Sequence, residues 1–151
     1  MNPADFYHVG LVVPDMDSAA AQLTAAGGYE WTQPVEYTLS VTTSAGDADV
    51  PFEFVYSLQA PHLELVQEVP GTIWTATAAR AAHHVGYWVD DIAAAASGLE
   101  AAGYRQEARP AGETLSTFAY YLDPAGVRIE IVDRALFPDW PGFLEAIKRS
   151  D

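Results

Sequence analysis

A ten-residue stretch of this chain occurs in two related versions, identical at five positions. Tyr7-His8-Val9-Gly10-Leu11-Val12-Val13-Pro14-Asp15-Met16 returns 76 positions later as His83-His84-Val85-Gly86-Tyr87-Trp88-Val89-Asp90-Asp91-Ile92. At the same offset Leu23 falls on Leu99 and Ala25-Ala26-Gly27 on Ala101-Ala102-Gly103; one extra residue, Gly28, then brings Tyr29 onto Tyr104. A second match, Leu63-Glu64-Leu65-Val66-Gln67 with Ile129-Glu130-Ile131-Val132-Asp133, closes each copy. Self-similarity of this extent demands two copies of one supersecondary unit, packed so that each buries what the other leaves exposed.

Each copy opens as strand, turn, helix. The strand carries β-branched and aromatic residues, and the alanine-rich helix starts at an aspartate that can cap it (Asp15 or Asp17; Asp91). Gly27 and Gly103 suit the left-handed position that ends a helix. Three segments rich in Val, Thr, Phe and Tyr follow: 36–43, 52–58 and 62–67 in the first copy, 104–109, 115–122 and 128–132 in the second. Prolines and glycines such as Pro51, Pro61, Gly112 and Pro124 supply the turns. The reading is an α+β protein of two tandem βαβββ modules, 4–69 and 83–135. A linker over 70–82 and a C-terminal helix over 138–149 complete one domain spanning 1–151.

At 151 residues the chain suffices for one good core. A formal net charge of -14 excludes nucleic acid and anionic membrane surfaces as partners, because neither field attracts such a chain. All seven basic residues lie at position 80 or later, so an anionic substrate tail would fall to the second half or to backbone N–H groups. The absence of cysteine excludes disulfides, thiolate metal sites and a cysteine nucleophile. With no apolar run of about 18 residues and no basic leader, a cytoplasmic location is expected.

Two histidines and two glutamates occupy matching places in the repeat. Glu64 alternates with Leu63 and Leu65, and Glu130 with Ile129 and Ile131, so each carboxylate faces away from its aliphatic neighbours. If both sheet faces are covered, such a charge needs a partner. His8 shares a strand face with Gly10, and His84 with Gly86, a residue that leaves room for a ligand beside the ring. Any one of these residues alone is more commonly a solvated or hydrogen-bonded sheet residue. Their duplication points to a divalent-metal site made of His8, Glu64, His84 and Glu130. Two nitrogens, two oxygens and no sulfur suit Mn²⁺, Co²⁺, Ni²⁺, Fe²⁺ or Zn²⁺ with positions left open for substrate.

The paired "HVG" strands and the "LELV" and "IEIV" closing strands resemble the vicinal oxygen chelate superfamily, which includes glyoxalase I, methylmalonyl-CoA epimerase, extradiol dioxygenases and drug-resistance proteins. The resemblance implies that the two modules form a curled mixed sheet around a metal-binding cleft, with one ligand from each of four strands; these fall on His8, Glu64, His84 and Glu130. His84 is preferred to His83 because it directly precedes Val-Gly, as His8 does. The helices and "ELVQEVPGTIW" look closest to the methylmalonyl-CoA epimerase-like branch.

The activity this implies is a metal-dependent isomerase or epimerase that acts on a small carbonyl or acyl-CoA substrate through a stabilised enolate. Glu64 and Glu130 are the favoured catalytic bases, with Asp49, Glu36 and Glu53 as other candidates. Asp47 and Asp49 are also the loose counterparts of the epimerases' upstream acid. His62, Trp88, Tyr120 and Phe118 are expected to line the substrate site, His83 only to hold a place in a strand, and Arg80, Arg105 and Arg109 to lie on the surface. Two further readings stand beside it: a glyoxalase I-type lyase or small dioxygenase, and a metal-free drug-binding module. The superfamily also implies a homodimer.

Overall fold

A computed structural model describes residues 2–76 and 82–149. Part of the expected linker, 77–81, and with it Arg80, lies outside the described residues. The first module comprises β1 (Phe6–Val13), α1 (Met16–Gly27), β2 (Val35–Thr43), β3 (Gly46–Tyr56) and β4 (His62–Gln67). The second comprises β5 (His84–Val89), α2 (Ile92–Ala101), β6 (Arg105–Pro110), β7 (Phe118–Leu122) and β8 (Arg128–Asp133), and a short α3 (Trp140–Ala146) follows. The α+β class and the doubled βαβββ order are those expected.

The eight strands close into a barrel in the order β1-β4-β3-β2-β6-β7-β8-β5. Each module is thus a four-stranded sheet with one parallel pair, β1 with β4 or β5 with β8. The modules join twice, along the antiparallel pairs β1–β5 and β2–β6. The β2–β6 seam is short, pairing only Val41–Thr43 with Ala108–Pro110.

Local chemistry sets the elements. Asp15 caps α1 by accepting from the Ser18 N–H at 2.8 Å, and Asp91 caps α2 by accepting from that of Ala94 at 2.9 Å. At the end of α1 the expectation needs correcting: the helix continues through Gly27, and the left-handed residue is Gly28 (φ 72°), whose N–H donates to Thr24 O. The extra residue of the first copy is therefore the helix terminator, while Gly103 (φ 91°) ends α2 in the expected place. Strand β3 begins six residues earlier than expected. The Ser40 and Thr42 hydroxyls donate across to Asp49 and Asp47, so these carboxylates find partners within the ladder. The C-terminal helix is shorter than 138–149. Asp139 caps it, and after Ala146 the backbone turns to pair Lys148 with Thr32 and to donate the Arg149 N–H to Trp31 O.

Each helix covers the outside of its own sheet. Met16 and Ala20 of α1 pack with Trp31, Val55 and Leu65, and Ala96 and Leu99 of α2 pack with Ala119, Tyr121, Ile129 and Ile131. Leu65 and Ile131 are fully buried. Each such burial contributes about 2 kcal/mol, and the alternation of a strand then turns Glu64 and Glu130 into the barrel. Inside, Leu39, Val41, Val50, Phe52 and Val66 pack with Trp74 and Tyr120. Trp74 comes from the segment after β4 and is 1% exposed, so the linker contributes one side chain to the core.

Candidate metal centre

The four central strands run β4-β1-β5-β8, and their register arranges the repeated residues in two rows. Glu64, Gly10 and His84 stand side by side across β4, β1 and β5; His8, Gly86 and Glu130 stand side by side across β1, β5 and β8. Each row has a glycine between a histidine and a glutamate. A Cβ on Gly10 would lie 1.9 Å from His84 Cε1, and one on Gly86 would lie 2.0 Å from His8 Cε1. The glycines do leave room beside a ring, but for the histidine of the other module rather than for a ligand.

All four side chains are buried, with relative exposures of 0% for His8, 3% for Glu64, 2% for His84 and 6% for Glu130. One donor atom from each lies within 4.8 Å of all the others. The two Nε2 atoms are 2.6 Å apart. Glu64 Oε2 lies 3.5 Å from His8 Nε2 and 3.1 Å from His84 Nε2, and Glu130 Oε2 lies 3.3 Å and 3.5 Å from the same atoms. Neither Oε2 makes a directed hydrogen bond. Two carboxylate oxygens left without a directed partner in a buried site are costly, and a divalent cation among them removes that cost. The donor set fits such an ion.

Tyrosines extend the rows: Tyr56 stands opposite Glu64, and Tyr120 stands opposite Glu130. Burial first, then the charges of the two glutamates, pushes the Tyr120 hydroxyl well above its ordinary pKa, and burial followed by Glu64 does so for Tyr56, so both remain protonated. Burial opposes charge on His84, but the facing carboxylates of Glu130 and Glu64 outweigh it and raise its pKa to about 9. Burial pushes the Glu64 carboxyl up; His8 and His84 reverse this and hold it well below the usual carboxylate range.

A cavity of about 320 Å³ opens onto this centre, with Glu64 and Glu130 in its wall. Tyr37, Phe52, Phe54, Phe118, Leu136 and Phe137 are among its other lining residues. No lysine or arginine among the described residues lines it.

The structure brings Tyr120 and Phe118 to the cavity, whereas two other expected lining residues lie elsewhere. His62 donates from Nδ1 to Ser57 O at 2.8 Å and packs beside Trp140, because the loop before β4 folds back over its ring. Trp88 stacks on Tyr7 at 3.8 Å between centroids and sits against Phe137 and Trp140, which hold it away from the cavity. Glu36, Asp47, Asp49 and Glu53 do not line it either: strand alternation turns Tyr37, Leu39, Phe52 and Phe54 inward and these acids outward. Tyr7 was not singled out by the sequence, yet it lines the cavity. A register shift in β1 between Phe6 and His8 lets Tyr7 be buried beside His8, which simple alternation does not foresee. Leu136 and Phe137 follow the repeat, so self-similarity carries no signal for them.

The family model for the glyoxalase/bleomycin resistance protein/dioxygenase superfamily matches residues 7–121. Among solved structures, a methylmalonyl-CoA epimerase bound to methylmalonyl-CoA and NH4+ aligns over 85% of this chain and 93% of its own, at 20% identity and TM-score 0.56. A Streptomyces coelicolor methylmalonyl-CoA epimerase variant bound to 2-nitronate-propionyl-CoA aligns over 97% and 98%, at 17% identity and TM-score 0.59. A 4-hydroxymandelate synthase variant from the same organism aligns over 85% of this chain and 47% of its own, at 16% identity and TM-score 0.53. At such identities the likeness is one of fold. No curated protein sequence matches the chain.

Proposed function

The chain belongs to the glyoxalase/bleomycin resistance protein/dioxygenase superfamily, and on that premise we propose that it is a divalent-metal-dependent epimerase or isomerase working by proton transfer next to a carbonyl. The observation that carries this reading is the buried His8, Glu64, His84, Glu130 cluster, with two carboxylate oxygens lacking directed partners, at the wall of an aromatic-lined cavity. His8, Glu64, His84 and Glu130 would hold the ion, and all four come from one chain, so a homodimer, also part of the proposal, is not needed to complete the centre. Once bound, a divalent ion supplies Lewis-acid polarisation of the substrate carbonyl, which acidifies the adjacent C–H and stabilises the enolate.

The protein's own groups do the rest. Glu64 and Glu130 reach the same site from opposite modules, so whichever carboxylate lets go of the ion would be placed to take the proton and return it. Tyr56 and Tyr120, held protonated, stand opposite those carboxylates. The aromatic walls lower the local polarity and so strengthen charge interactions at the centre. With no cation in the described lining, the cavity suits a neutral carbonyl compound or the acyl end of a thioester, any phosphate-bearing tail lying outside.

The test is metal-dependent exchange of an α-proton in D₂O across a panel of hydroxy-carbonyl compounds and acyl-CoA thioesters. Exchange that disappears with chelator and with Glu130→Ala is the expected result. Glutathione dependence or oxygen consumption would move the protein to the lyase or oxygenase reading, and absence of stoichiometric metal from metal-replete protein would leave only a binding module.

A further inference from the structure

His83 holds the repeat position of Tyr7, one residue ahead of the ligand histidine, yet the two side chains behave differently. His83 is 9% exposed, and both of its ring nitrogens are engaged. Nε2 lies 2.7 Å from Ile73 O, and Nδ1 lies 2.9 Å from His84 Nδ1. A carbonyl oxygen only accepts, so His83 Nε2 carries the hydrogen. A neutral imidazole has one such hydrogen, which leaves a lone pair on His83 Nδ1. His84 Nδ1 must therefore donate, so in neutral His84, the form a metal binds, the lone pair is on Nε2, the atom that faces Glu64, Glu130 and His8. The ring that does this is itself anchored: the His83 N–H donates to Gly10 O at 2.7 Å, and its carbonyl accepts from Arg128 at 3.2 Å.

The geometry points to His83 as a positioning residue that, through a relay from Ile73 O, sets the tautomer and orientation of His84 for metal binding. The first module shows that position alone does not create the contact. Tyr7 turns to the cavity and Trp88, and His8 Nδ1 is buried with no hydrogen-bond partner. Ile73 lies after β4 in a segment without a repeat counterpart, so the relay ties the linker to the second module's ligand. An acceptor on the far nitrogen of a ligand histidine also raises the basicity of the ligating nitrogen. The two halves of the donor set are then unequal, with His84 the firmer ligand.

This inference rests on the metal-centre reading, and the test separates the two. In Zn²⁺-loaded, ¹⁵N-labelled protein the His84 Nδ1 hydrogen is expected to show scalar coupling to His83 Nδ1 across the hydrogen bond. Co²⁺ affinity, measured by competition with a chromogenic chelator, is expected to fall about 10- to 100-fold in His83→Leu. In His83→Asn, whose side-chain oxygen can stand in for Nδ1 as acceptor, it is expected to return to within roughly threefold of wild type. The coupling is read on wild-type protein and decides the matter if His83→Leu fails to fold. Wild type that binds neither ion overturns both readings. Wild type that binds, with no coupling, with His83→Leu within roughly threefold, or with His83→Asn as weak as His83→Leu, overturns the relay alone.

Discussion

The two modules present the same row, a glutamate and a histidine leaning over a glycine, with a tyrosine beyond the glutamate. Around that row they diverge. Behind His84 stand His83 and the Ile73 carbonyl; behind His8 the Nδ1 atom has no partner, and Tyr7 looks into the cavity. The segment after β4 drives Trp74 into the barrel core, whereas the segment after β8 lays Phe137 and Trp140 against Tyr7 and Trp88. The duplicated residues make the donor set and part of the cavity wall, where Phe54 and Tyr56 match Phe118 and Tyr120; residues that broke the duplication, Tyr7, Leu136 and Phe137, complete that wall, and His83 holds one donor histidine. An approximate two-fold axis suffices to gather four ligands, but a substrate site needs an inside and an outside, which symmetry alone does not supply.

Removing the ligands themselves should give the largest effects. His84→Ala and Glu130→Ala are expected to lose stoichiometric metal and at least about 100-fold in Co²⁺ affinity, more than an outer partner is worth. If the modules are as unequal as His83 makes them, His8→Ala loses at least tenfold less than His84→Ala; equal losses by competition titration would restore the symmetry.

Gly10→Ala and Gly86→Ala probe the part of the comparison that is symmetric. Each places a methyl group near 2 Å from the opposite histidine ring. Because that ring is buried and cannot retreat, each should cost about 1–3 kcal/mol in denaturant unfolding and reduce metal content. A variant of either glycine with wild-type stability and metal content would show that the rings have room to move.

Protons should compete with metal at the centre. In metal-free protein the raised pKa of His84 contributes stability that is fully present below its ordinary value of 6.5 and is lost as pH rises through about 9. The depressed pKa of Glu64 contributes stability present above its ordinary 4.5 and lost as pH falls below it. Metal-free protein is therefore expected to be most stable between these two ordinary values and to lose about 3 kcal/mol toward pH 9. Zn²⁺, which needs the histidine deprotonated, should reverse the slope on the alkaline side. Urea unfolding at both ends of the window, with and without Zn²⁺, checks both signs.

The smallest effects should come from residues outside the rows. His62→Ala removes one bond to Ser57 O and is expected to cost about 1 kcal/mol without changing metal stoichiometry. Asp49→Asn, on the outer face of β3, should change neither metal content nor α-proton exchange. Loss of exchange in Asp49→Asn would reopen the search for the base.

The repeat alone determined the element order, the inward face of Glu64 and Glu130 and the identity of the four donor-type residues. Those follow from strand alternation and from one motif occurring twice, which are properties of the chain before it packs. The register that sets Gly10 beside His84 and Gly86 beside His8, the bulge that turns Tyr7 inward, and the contacts that take Trp88 and His62 away from the cavity were decided only by barrel closure. So was the role of His83: its partners, Ile73 O and His84 Nδ1, are set by where the linker docks, and nothing in the local sequence encodes that. Long-range pairing depends on how whole sheets meet, so it becomes definite only when both modules are packed against each other.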